Sequence, residues 1–205
     1  MKESRMNILE GINARRAIRH YDPAHRLTED EQRELLSHAL LAPTSFNLQH
    51  VRLVAVTDPA LRQEIRAVGW DQAQITDASL LVIVCADVAS WEKNAARIWS
   101  EAPQAVQDFM VPAIDAYYRD KPQTQRDEAM RSTGLVAQTL MLAAKGMGYD
   151  SCPMVGFDFD AVARLINLPK DHVVSLMISV GKSIEPAHPR IGKLPYEEAV
   201  IRDRF

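Results

Sequence analysis

The sequence predicts a mixed helix-and-strand protein, one domain over residues 1–205, in which helices outnumber three or four strands. Three observations carry this. At 205 residues and 47% hydrophobic content, the chain is long enough to bury a substantial core as one domain. The runs "LLVIVCAD" and "HVVSLMISVG" are continuously apolar, as strands covered on both faces are. The segments around them show helical spacing with recognisable starts and stops.

Taken in order, Ser4 is placed to cap a first helix whose Ile8, Leu9 and Ile12 share one face. "NARRAIRHYD" then sets Arg15, Arg16 and Arg19 within five positions where that pattern stops, so the cluster falls on a loop. "TEDEQRELLSHALLAP" reads as a second helix, with Thr28 and Glu31 as a capping box and Pro43 as its end. "TSFNLQH" is a polar loop leading into a strand, "VRLVAV", and "PALRQEIRAV" is a helix before the strand "LLVIVCAD". From Ala89 to Pro122 the helical pattern is weaker, with Trp91, Trp99, Phe109, Tyr117 and Tyr118 scattered along it, which suits a mobile, substrate-facing segment. The strongest helix runs from Glu128 to Met147, apolar almost all round after Gly134, and belongs in a core or against another subunit. Gly148 stops it. "GYDSCPMVGFD" reads as a loop, "FDAVARLINL" as a short helix, and "HVVSLMISVG" as a buried strand. The tail "EPAHPRIGKLPYEEAVIRDRF" carries three prolines and is extended or wraps the surface.

Charge and composition narrow the function. A net charge of −3 argues against a nucleic-acid partner, because duplex binders carry a basic excess that displaces counterions. No apolar run approaches the roughly 18 residues that cross a bilayer. The N-terminus "MKESRMNILE" lacks an apolar signal core, which points to a soluble, cytoplasmic protein. Cys85 and Cys152 lie far apart in apolar sequence, as two buried reduced thiols would. The six histidines are isolated and show no metal-ligand spacing. Cys152 has no nearby histidine or basic residue in sequence to stabilise a thiolate. Gly146, Gly148 and Gly156 follow a helix, so they fail the dinucleotide fingerprint.

That leaves the arginines, for which two readings stand: a solvated charge run, or a site for a phosphate monoester held by guanidinium forks. Arg190 and Lys193 in the tail form a second basic pair, beside Gly192. Sequence alone does not show whether the two clusters meet.

Five segments, in order, resemble the nitroreductase family of FMN flavoproteins. "RRAIRHYD" resembles its Arg-x-Ser-x-Arg/Lys-x-Phe opening, and "APTSFNLQHVRLVAV" its Pro-Ser-Ser-x-Asn-x-Gln segment and first strand. "WDQAQITDASLLVIVCAD" is similar to its second strand with the preceding polar turn. "LMLAAKGMGYDSCPMVGFD" resembles its dimer-core helix and Gly-Phe-Asp loop, and "PRIGKLPYEEAV" its basic C-terminal segment. The resemblance implies an α+β fold with a central, mostly antiparallel sheet flanked by helices, in an intertwined homodimer. It implies FMN as cofactor, NADH or NADPH as donor, and a small-molecule acceptor such as a nitroaromatic or quinone, in a ping-pong cycle. Enone reduction, dehalogenation, flavin-consuming chemistry and a flavin-binding regulator without turnover are the alternatives it leaves open.

By the same resemblance, Arg15, Arg190 and Lys193 reach the FMN phosphate, while Arg16 and Ala17 offer backbone contacts nearby. Arg19 falls near flavin N1 and O2, where reduction places negative charge. Gln74 meets the pyrimidine edge, Asp71 accepts from N3–H, and the N–H groups of Val155 and Gly156 point at N5 and O4. Thr44, Ser45, Asn47 and Gln49 come from the other subunit. Ala17, Asp71 and Val155 depart from residues common in the family, which bears on substrate choice. No side chain is implied as an obligatory acid or base, and no metal.

Overall fold

A computed structural model describes residues 6–205. Among them, four strands form one antiparallel sheet in the order β1-β2-β4-β3. The strands are β1 (Val51–Val56), β2 (Leu80–Asp87), β3 (Asp150–Met154) and β4 (His172–Gly181). The helices are α1 (Ile8–Ala14), α2 (Glu29–Ala39), α3 (Pro59–Val68), α4 (Gln74–Asp77), α5 (Ser90–Ile98), α6 (Gln104–Tyr118), α7 (Pro122–Gly146), α8 (Phe159–Leu165) and α9 (Tyr196–Ala199). This is an α+β fold, and no helix in it is long and apolar enough to cross a membrane.

The sheet is covered on both faces, and β2 shows why its sequence is continuously apolar. Leu80, Val82 and Val84 pack with Leu35 and Ala39 of α2 and with Val136 and Leu140 of α7. The alternate residues Leu81, Ile83 and Cys85 pack with Ile65 of α3 and Val162 of α8. Side chains two apart along a strand share a face, so every position of β2 is core.

Several expectations change. Ser4 lies outside the described residues; α1 is capped by Asn7, whose side chain accepts from the Glu10 N–H while Glu10 accepts from the Asn7 N–H. The long helix begins at Pro122, six residues before the predicted Glu128, because proline suits the first helical turn, where no N–H is needed. Its buried residues, among them Ala129, Thr133, Val136, Leu140 and Ala144, form one stripe, whereas Gly134, Leu135 and Gln138 are exposed. Gly148 ends the turn after it with φ of 80°, a conformation that favours glycine.

The expected loop "GYDSCPMVGFD" contains strand β3, Asp150–Met154. Pro153 disguised it, but β3 is an edge strand, where a missing N–H costs no ladder partner on the open side. The weakly patterned segment from Ala89 to Pro122 is two ordered helices, α5 and α6. Trp91, Ile114 and Tyr118 bury a small core there with Leu48 of the preceding polar loop. That loop includes one 3-10 turn, Ser45–Asn47. The tail from 188 to 205 is exposed throughout.

Candidate functional site

The arginine cluster sits on the open edge of β3. Ala17 bridges to Ser151 in parallel, and the Ile18 N–H donates to the Ser151 carbonyl at 3.1 Å. An extended chain alternates its side chains, so Ile18 is buried while Ala17 and Arg19 face outward. Among the described residues, none of Arg15, Arg16 and Arg19 has a carboxylate partner. The two basic clusters meet. Arg190 donates to the Asn13 carbonyl at 2.9 Å, and Arg16 donates to the carbonyl of His188. Lys193 follows in the exposed tail. The backbone N–H groups of Arg16 and Ala17 have no acceptor among the described residues.

The Cys152 thiol donates to the Pro153 carbonyl at 3.7 Å, and the charges of Arg19 and Arg15 lie close enough to act on it, which corrects the expectation that Cys152 has no basic neighbour. Burial pushes that thiol up, and Arg19 and Arg15 pull it back only in part. It therefore stays a poor nucleophile. The contact arises across the sheet edge and leaves no trace in local sequence.

Beyond the end of β3, Val155 is exposed, and neither its N–H nor that of Gly156 has an acceptor among the described residues. Trp70, with φ of 56°, lies over Gly156 so closely that a Cβ there would stand 2.6 Å from the indole. Glycine is required for this approach. Gln72 ties the two segments together, donating to the Gly156 carbonyl at 2.9 Å and the Gly69 carbonyl at 3.0 Å. Gln74 is 4% exposed, and its amide donates to the Gln72 side chain at 3.0 Å. Asp71 is exposed and pairs with Arg66 at 2.7 Å. Sequence reasoning missed Trp70 and Gln72; a lone tryptophan in "GWDQ" was the only available signal for the first.

Thr44, Ser45, Asn47 and Gln49 do not join this group. Val51, just after them, pairs with Ala86 at one end of β2; Ser151, beside the arginines, pairs with Val180, which pairs with Leu80 at the other end. Three strand spacings of roughly 4.8 Å separate the edges, and six residues at roughly 3.4 Å separate the ends. The two groups thus occupy opposite corners of the sheet, on the order of 25 Å apart. No side chain spans that distance. Within the loop, Gln49 and Asn47 are exposed, with the Gln49 amide 3.4 Å from the Asn47 oxygen, and Thr44 accepts from the Gln49 N–H at 3.0 Å.

One further polar cluster lies beside the 44–49 loop, where the Asp87 N–H donates to the His50 carbonyl at 2.8 Å. Asp87, Asp171 and His172 bring ligand-type atoms within 4.8 Å of one another. Lys93 already lies between the two carboxylates, 3.0 Å from Asp87, so its ammonium takes the place a cation would need.

Comparison with known proteins matches the nitroreductase family model over residues 12–182. Protein DrgA of Synechocystis is 52% identical over 182 residues, covering 89% of this chain and 87% of that one. MhqN of Bacillus subtilis, provisionally named an NAD(P)H nitroreductase, is 31% identical, covering 92% and 95%. Among solved structures, a nitroreductase-type chain of Exiguobacterium sibiricum in complex with FMN superposes with a TM-score of 0.88 at 27% identity, covering 98% and 99%. The matched region holds Arg15 to Arg19, the 44–49 loop and Gly156, and the fold agrees along nearly the whole length: the chain belongs to the nitroreductase family.

Proposed function

We propose that the chain is an FMN-dependent NAD(P)H oxidoreductase whose cofactor sites lie between two copies of the chain. The observation that carries this reading is the group of guanidiniums on the β3 edge that, among the described residues, have no carboxylate partner, beside backbone donors with no acceptor there. Clustered cations without counter-charges call for an anion, and a phosphate monoester takes several forks at once. The residues fit FMN in a second respect: the N–H groups of Val155 and Gly156 have no acceptor among the described residues, in a turn where Trp70 packs against Gly156 too closely for a Cβ.

FMN held here would supply two-electron chemistry between a nicotinamide donor, NADH or NADPH, and an acceptor such as a nitroaromatic or quinone. In this reading Arg15 and Arg190, with Lys193, hold the phosphate, and the N–H groups of Arg16 and Ala17 add to them. Arg19 holds a fixed positive charge at the N1/O2 edge, where a cation favours the reduced state. The N–H groups of Val155 and Gly156 would donate to the N5/O4 edge, and the Gln72–Gln74 pair keeps that turn in place beside Asp71. No side chain acts as an obligatory acid or base.

The distance between the two residue groups supports a shared site, because a second copy brings its 44–49 loop to the first copy's arginines. Exposed apolar residues support a place for that copy. Ile8 and Leu9 of α1 are 71% and 67% exposed, and Gly134 on the open stripe of α7 has space where a Cβ would be. Beside them, a groove of about 1080 Å³ is lined by Ile8, Leu41, Leu142 and Met147. These exposed apolar side chains, with Glu31, His38 and Lys145 along the same groove, support reading this face as the one a second copy covers. The test is the absorption spectrum of the purified protein, reconstituted with FMN if necessary. A bound flavin bleached by NADH or NADPH and restored by a quinone is expected. Protein that binds no flavin would overturn the reading, and bound flavin that no nicotinamide bleaches would leave a flavin-binding regulator.

A further inference from the structure

The loop that carries Thr44, Ser45, Asn47 and Gln49 is held in an unfavourable backbone conformation. Phe46, Asn47 and Gln49 have φ of 50°, 53° and 47°, and none is glycine. Asparagine tolerates this region; phenylalanine and glutamine seldom enter it. Such strain persists only where the surroundings over-determine it.

Those surroundings come almost wholly from α5, α6 and the turn between them. The Trp99 indole N–H donates to the Phe46 carbonyl at 3.1 Å. The Tyr118 hydroxyl donates to Ser45 Oγ at 2.7 Å, and the Ser90 hydroxyl donates to the Leu48 carbonyl at 3.0 Å. The Phe46 ring meets the edges of Tyr117 and Tyr118 at centroid distances of 5.2 and 6.0 Å. From α7, Ser132 Oγ accepts the Ser45 N–H at 3.3 Å. Tyr118 is 2% exposed, and burial pushes its phenol up to about 12, so the hydroxyl keeps its proton.

We infer that Tyr118 and Trp99 are positioning residues for the cofactor site, and that α5 and α6 exist in this chain to brace the 44–49 loop. This rests on the reading that the loop completes the site of a second copy. The Tyr118–Ser45 bond does more than tether. A serine hydroxyl carries one proton and two lone pairs; with Tyr118 donating, the Ser45 O–H is left to point elsewhere as a donor. The brace therefore sets which way Ser45 presents its proton, and Trp99 fixes the carbonyl one residue on. Asn47 and Gln49, exposed beyond the braced backbone, are presented outward as a result.

Tyr117 supplies an internal control, because its hydroxyl bonds Glu128 at 3.1 Å instead of the loop. FMN affinity, from titration of apoprotein, is compared with thermal melting for wild type, Tyr117→Phe, Tyr118→Phe and Trp99→Phe. Loss of one neutral hydrogen bond corresponds to a factor of roughly 2 to 12. Tyr118→Phe and Trp99→Phe should each weaken FMN binding within that range, while Tyr117→Phe leaves it unchanged. In a double-mutant cycle, Tyr118→Phe should add nothing once Ser45→Ala is present, since the two share one bond. A small-core role alone would lower the melting temperature of Tyr118→Phe and leave FMN affinity as in wild type; that result overturns the inference while the flavin reading stands. Wild type that binds no FMN sinks both.

Discussion

Arg15→Ala combined with Arg190→Ala removes two guanidiniums from the β3 edge, one from each of the clusters that the structure brings together through Asn13. Hydrogen bonds to a charged group are worth about 1.5–3 kcal/mol each. The pair thus represents roughly 3–6 kcal/mol against one phosphate, or about two to four decades in affinity. Arg15 is half-buried and Arg190 exposed, so solvent screening moves the expectation to the lower end, about a hundredfold. The assay is FMN titration of apoprotein at low and high salt, with gel filtration and melting to show that the variant folds. Arg190→Ala also deletes the bond to the Asn13 carbonyl, so a small drop in melting temperature accompanies the loss of flavin. The salt dependence should flatten as well, because the screened charges are gone. A folded double variant that binds FMN within threefold of wild type, with an unchanged salt slope, would refute the assignment of these arginines to the phosphate.

Arg19→Gln should lower the flavin midpoint potential by about 30 mV for each 1.4 kcal/mol of lost preference for the reduced state, which a redox titration reads. Arg62 is 8% exposed and donates to the carbonyls of Val56 at 2.9 Å, Ala78 at 2.5 Å and Ser79 at 3.2 Å, with burial pushing it down to about 10. Arg62→Met strands those buried acceptors and should destabilise the fold by roughly 3 kcal/mol in urea unfolding. His50 is 3% exposed, and burial holds it below its ordinary value of 6.5. The folded state thus favours the neutral ring, so its contribution is present above 6.5 and is lost as pH falls below that value. Melting temperature should decline from pH 7 towards 5 in wild type and decline less in His50→Leu.

What could be read from sequence was whatever local pattern encodes. α2 was legible because its capping box is written in Thr28 and Glu31, and the structure places both bonds. β2 was legible because a strand buried on both faces is apolar along its run, with Asp87 the one polar residue, at its end. β3 was hidden by Pro153 and by its edge position, which relaxes the pattern on one side. The arginine cluster was visible as a charge anomaly, but its meeting with Arg190 spans 177 residues and is a tertiary fact. The strained loop was invisible for a different reason: its left-handed positions hold Phe46 and Gln49 where glycine would have announced them. Arg62, likewise, reads as an ordinary helical surface arginine until the carbonyls of β1 and the α4–β2 turn close around it.

The central claim is that each flavin site is built from two copies of the chain, arginines from one and the 44–49 loop from the other. Co-expression of two inactive variants tests it directly. One chain carries Arg15→Ala and Arg190→Ala; the other carries Asn47→Ala and Gln49→Ala; each alone should purify with little FMN. Random pairing makes about half the dimers mixed, and in each mixed dimer one of the two sites combines intact arginines with an intact loop. A shared site therefore predicts FMN occupancy, and NADH-dependent quinone reduction, near a quarter of the wild-type level. A site built within one chain leaves every site defective in every dimer, and occupancy no higher than that of either parent would contradict the account.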